Sequence, residues 1–100
     1  MSKQCLSLVC DPQVEERLLD LLLEAAGDEI FTSTPTFGHG TAQGRLTSQE
    51  QVMGRSRAVQ VQILVTDAEL SRLLQLLREQ FAGCGLRYWA TPLSAEGEIE

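Results

Sequence analysis

Residues 58–69 read AVQVQILVTDAE, and along this stretch the hydrophobic period of the chain changes. From Ala58 to Thr66, the apolar Val59, Val61, Ile63 and Val65 alternate with Ala58, Gln60, Gln62 and Leu64. That two-residue repeat is the mark of a strand with one face in a core. It is the most apolar strand-like run in the chain, which places it at the centre of a sheet. Thr66-Asp67-Ala68-Glu69 then has the form of a capping box, in which the threonine side chain bonds forward and the glutamate bonds back. Leu70, Leu73, Leu74, Leu77 and Phe81 follow at helical spacing, and Gly83-Cys84-Gly85 ends the helix.

Beyond that turn, Leu86–Pro92 (LRYWATP) is a last short strand, and Ser94–Glu100 is an acidic tail expected to fray. On the N-terminal side lies FGHGTAQGRLTSQEQVMGRSR, residues 37–57, where three arginines face one acid in a chain of net charge −6. Compact domains connect their elements with ~4–6 residues, so a connection this long is expected to be a binding loop, assigned to residues 38–56. Before it, Ile30–Phe37 (IFTSTPTF) is β-branched and aromatic, a strand that Pro35 confines to a sheet edge or a bulge. Cys5–Cys10 (CLSLVC) is the first strand. Asp11-Pro12 opens a helix, with Asp11 as N-cap, a stripe of Val14, Leu18, Leu21, Leu22 and Ala25, and Gly27 as a left-handed stop.

The order is strand, helix, strand, strand, helix, strand. Right-handed crossovers put the first and third strands in the middle and the second and fourth at the edges. The expected fold is α+β: a ferredoxin-like βαββαβ sandwich, an antiparallel four-stranded sheet with two helices on one face and a long loop between the second and third strands. Residues 1–93 form a single domain and residues 94–100 the tail. The uncovered sheet face, with Ser7, Val9, Gln60, Gln62 and Leu64, is semi-polar and invites self-association.

The chain has 100 residues, 43% hydrophobic and 22% charged, the balance of an ordinary globular domain. Its acidity opposes nucleic acid and anionic membranes as general partners. The central strands also lack the aromatics on which RNA bases stack. MSKQCLSLVC lacks the apolar stretch of a signal peptide, no run approaches the ~20 residues of a membrane helix, and three cysteines cannot all pair within one chain. A reduced cytoplasmic setting is expected, without direct membrane insertion.

Catalysis is not expected. His39 is the only histidine, with no orienting carboxylate nearby in sequence, and Cys10 precedes Asp11, an acid that would raise its pKa. Cys5 and Cys10 fall on opposite strand faces and cannot chelate together; His39, joined by a ligand from a neighbouring subunit, is the candidate metal ligand. Gly38, Gly40 and Gly44 allow close backbone approach to a phosphate or partner, or simply keep a long loop flexible. Arg55 and Arg57, two apart at a strand entrance, suit either an anion clamp or edge solubility. Arg87, just after the glycine turn, could meet an anion there.

With these residues in place the chain resembles the PII signalling superfamily over nearly its whole length. The resemblance rests on the element order, the long loop opened by Phe37-Gly38-His39-Gly40, and the turn Gly83-Cys84-Gly85 before Leu86-Arg87-Tyr88. Within it, the chain is most similar to a small PII-like group with GHG, a Glu50-Gln51-Val52-Met53-Gly54-Arg55 stretch and a Tyr88-Trp89 pair, a group associated with heavy-metal efflux systems. The resemblance implies a homotrimer with effector clefts between subunits. It places Gly38, Gly83, Gly85 and Arg87, with Arg57, at an effector or anion site, to which the anion-clamp reading of Arg55 and Arg57 adds Arg55, and His39, Gly40, Gly44 and Arg45 fall in a partner-docking loop. The implied function is regulatory docking on a target protein, a transporter being one candidate, or else metal homeostasis of the CutA type. A nucleotide or a metal is the candidate cofactor. The loop holds no tyrosine, which excludes uridylylation of the enteric kind. The acidic tail stands where nucleotide-binding relatives place arginines, which weighs against ATP.

Overall fold

The computed structural model describes residues 3–39 and 55–100. The elements run β1 (Lys3–Cys10), α1 (Glu15–Ala25), β2 (Phe31–His39), β3 (Arg55–Thr66), α2 (Asp67–Phe81) and β4 (Arg87–Pro92). The strands form one antiparallel sheet in the order β2-β3-β1-β4, so β1 and β3 are central, as the crossover argument requires. Pro35 sits in the edge strand β2, opposite Val59, where its missing N–H need not interrupt a second ladder.

The alternation read in residues 58–65 is the core face itself. Val59, Val61, Ile63 and Val65 are buried with Leu6, Leu8 and Cys10 of β1. Both helices pack onto that face, α1 through Leu18, Leu21 and Leu22, α2 through Leu73, Leu77 and Phe81. Each fully buried aliphatic side chain contributes ~1.5–3 kcal/mol of transfer free energy, so this layer dominates the stability of the fold. Two arginines lock the helices to each other at their ends. Arg17 Nη2 donates to the Gln80 carbonyl at 3.2 Å, and Arg72 Nη2 donates to the Ala25 carbonyl at 3.1 Å. Each satisfies a carbonyl in the last turn of the opposite helix, where no intrahelical N–H is available. The Arg17 guanidinium also lies 4.9 Å from the centre of the Phe81 ring.

The Thr66 capping box forms as read: Glu69 N–H donates to Thr66 Oγ1 at 3.2 Å, and Thr66 N–H donates to Glu69 Oε1 at 2.9 Å. The start of α1 differs from expectation. Asp11 Oδ1 accepts from the Gln13 amide at 3.0 Å, but a turn closed by Val14 N–H to the Asp11 carbonyl intervenes before the helix begins at Glu15. Asp11 therefore caps the turn and not the helix. Gly27 is also corrected, because only Gly83 and Gly85 have positive φ among the described residues. A Cβ at Gly27 would lie 2.6 Å from the Leu23 carbonyl oxygen, so glycine is required there by close approach and not by handedness.

The strands flanking the long connection are longer than the side-chain pattern implied. Gly38 and His39 end β2 and Arg55 and Ser56 begin β3, paired Gly38 with Ser56 and His39 with Arg55. Backbone pairing alone extends these strands, and it leaves no hydrophobic signature. Residues 40–54, with Gly40, Gly44 and Arg45, lie outside the described residues.

The far sheet face is semi-polar as expected, but its centre is already dry. Ser7 is only 1% exposed, between Gln62 and Trp89 in register, and its hydroxyl accepts from Gln62 Nε2 at 3.3 Å. Past β4 the chain has no regular structure, although Leu93 N–H donates to the Lys3 carbonyl at 3.0 Å and Glu96 meets Lys3 Nζ at 3.6 Å. No helix among the described residues is long and apolar enough to cross a membrane.

Candidate functional site

At one end of the sheet, three segments distant in sequence meet around a cleft of about 270 Å³. The end of β1 supplies Val9 and Cys10, followed by Asp11. The β2–β3 pair supplies Gly38, Ser56, Arg57 and Ala58, and the turn into β4 supplies Gly83, Cys84, Gly85 and Arg87. Antiparallel pairing dictates this convergence. β1 ends at Cys10 opposite Val59, close to where β3 begins, and Val9 pairs with Arg87 at the start of β4.

The turn has a specific backbone requirement. Gly83 and Gly85 adopt φ of 84° and 80°, a region that β-carbon sterics close to most residues. Cys84 between them does not share this positive φ. The Cys84 amide and thiol both donate to the Phe81 carbonyl, at 3.3 and 2.9 Å, which ties the turn to the end of α2.

Of the six residues assigned from sequence to an effector site, Gly38, Arg57, Gly83, Gly85 and Arg87 line this cleft. Arg55 pairs through its backbone with His39, one register step outside Gly38 and Ser56. His39 is exposed at the end of β2. Among the described residues, no group of three or more histidine, cysteine or acidic side chains is arranged to hold a metal ion.

Sequence reasoning missed Asp11 and the two cysteines as cleft residues. Asp11 had been spent on a capping role, and nothing in the spacing of Cys10 and Cys84 reveals that one cavity contains both. Burial pushes the Cys10 thiol up to about 11, with Glu15, Asp11 and Cys84 adding to the effect in that order. Cys10 is thus held protonated, and desolvation contributes more to that than the neighbouring acid.

Among the described residues, two guanidinium groups and one carboxylate line the cleft, a positive balance that Glu15, which also acts on Cys10, reduces. Glu96 of the acidic tail does not offset this within the same chain. Glu96 is anchored at Lys3, the opposite end of β1 from Cys10, a strand length of about 23 Å at ~3.3 Å per residue.

The chain shares its architecture with several solved structures. A DUF3240 family protein from Shewanella baltica is 19% identical, with a TM-score of 0.80, covering 100% of this chain and 99% of that one. CPII, a nitrogen regulatory PII-like protein from Thiomonas intermedia solved with ADP, AMP and bicarbonate, is 15% identical with a TM-score of 0.75, covering 99% and 98%. The periplasmic divalent cation tolerance protein CutA from Archaeoglobus fulgidus is 10% identical with a TM-score of 0.68, covering 96% and 88%. At these identities the likeness is one of fold. A search of curated protein sequences finds no match to the chain. The sequence profile of DUF3240, a family described as of unknown function, matches residues 1–100. Matched from end to end by that profile and folded like the PII-like proteins, the chain belongs to the DUF3240 family.

Proposed function

We propose that the chain is a PII-like regulatory protein and not an enzyme, taking a small anionic effector in the Arg57–Arg87 cleft and docking on a target protein through residues 38–56. The observation that carries this reading is the convergence of Gly38, Arg57, Gly83, Gly85 and Arg87 on one cleft at the root of the long connection. An anion there would bridge the start of β3, the end of β2 and the glycine turn. Occupancy would therefore bias the conformation of the connection, the order–disorder logic of many switches. A homotrimer in the cytoplasm, with each cleft completed by a neighbouring subunit and a membrane transporter as the target, extends the same reading.

Calorimetric titration with ADP, AMP and bicarbonate tests the cleft, using the anions found in the Thiomonas structure as probes. At least one should bind. Arg57→Ala and Arg87→Ala should each weaken that binding at least ~10-fold, the effect of losing one charge-assisted hydrogen bond. No heat from any of the three at millimolar concentration would overturn the effector reading.

Metal homeostasis of the CutA type is the second reading, favoured by the shared fold and by exposed His39 at the mouth of the connection. Zinc and copper titrations of wild type and His39→Ala decide it. Equal affinities would remove His39 from any site.

A further inference from the structure

The Gly83–Gly85 turn has a second side. Behind it, between α2 and β4 on the helical face of the sheet, lies a separate groove of about 380 Å³. Its floor is the buried side chains of Leu8, Leu77 and Phe81, and its walls are the half-buried Leu74 and Leu86. The size falls within the usual range for small-molecule sites, which are apolar with a few placed polar groups. Here two polar groups stand at the rim. Arg78 Nη2 lies 3.5 Å from the Tyr88 hydroxyl, and both side chains are exposed. Arg78 makes no ion pair among the described residues, so its guanidinium has the capacity to hold a carboxylate.

We propose that this groove binds a free amphipathic monocarboxylate, a medium-chain fatty acid in chemical class. The hydrocarbon body would lie along the half-buried Leu74 and Leu86, over the buried floor. The head would accept hydrogen bonds from Arg78 and from Tyr88 at the rim. Charge complementarity selects this occupant. A neutral hydrocarbon leaves the guanidinium unused, and a short hydrophilic anion leaves the half-buried Leu74 and Leu86 walls in contact with water. Gly83 and Gly85 line this groove as well as the arginine cleft, so an acid bound here would touch the turn that also lines the cleft. The site stands whatever the arginine cleft binds.

Amide spectra of the full chain, titrated with octanoate below its micellar range, test the proposal, with octanol and acetate in parallel. Octanoate should shift the amides of Leu77, Ala82, Gly83, Leu86 and Tyr88 saturably. Octanol and acetate should each bind at least ~10-fold more weakly, and Arg78→Gln should weaken octanoate by a similar factor, the worth of one charged hydrogen bond. Arg78 is exposed, so this variant keeps the core; Leu74→Phe, which narrows the groove, gives an independent loss of affinity. Three results overturn the proposal. One is equal affinity for octanoate and octanol, another is an Arg78→Gln variant that binds normally. The third is an affinity that falls with protein concentration while light scattering shows a change of mass, which would assign the groove to a second copy of the chain.

Discussion

Two glycines show how residue-level requirements differ. Gly27 has ordinary backbone handedness, but a Cβ there would sit 2.6 Å from the Leu23 carbonyl oxygen. Gly83 is the reverse case: a Cβ would touch nothing within 4 Å, yet φ is +84°. Gly27→Ala should therefore cost ~1–3 kcal/mol through overpacking against fixed backbone. Gly83→Ala should cost ~1–2 kcal/mol through left-handed strain, and should also distort both binding surfaces that share the turn. Urea denaturation of the two variants checks this. A neutral Gly27→Ala would show that the end of α1 moves freely. Both glycines were read from sequence as helix stops. Only Gly83 acts through handedness, because a helix can also end by running its backbone against its own last carbonyls.

At the scale of elements, the junction from β3 into α2 was fully legible, since a capping box is a local device whose partners are three residues apart. Thr66→Ala removes the acceptor for the Glu69 amide and should destabilise the protein by ~1 kcal/mol. The Glu69 carboxyl is held below its usual range, first by the Thr66 backbone N–H and then by the Thr66 hydroxyl. Its contribution is therefore present above the unfolded carboxyl value of ~4.3 and is lost as the pH falls through the lowered folded value. Glu69→Gln should be less stable than wild type near neutrality, with the gap closing in acid, as thermal melts across pH would show. A gap that widens in acid would contradict the assigned bond. The start of α1 was less legible because Asp11 serves a turn, and side-chain type alone does not distinguish the two uses.

For the whole molecule, the self-association expected of the semi-polar sheet face is now sharper, since Ser7 is dry and Trp89 stands exposed on the same face. Multi-angle light scattering should give three times the chain mass, and Trp89→Glu should shift it toward the single chain while the core of β1, β3 and the helices stays folded. A monodisperse single-chain mass for wild type would end the trimer reading. The alternation of residues 58–65, the leucine stripe of α2 and the confinement of Pro35 to an edge were determined by the sequence itself. Each depends on a period or a steric rule that acts over a few neighbouring residues, and together they fix strand order through the handedness of crossovers. Tertiary structure alone decided the contents of the arginine cleft and the groove behind the turn. Cys10 and Cys84, or Leu8 and Tyr88, meet only because antiparallel pairing brings the end of one strand beside the start of another, a relation that no local pattern in the chain encodes.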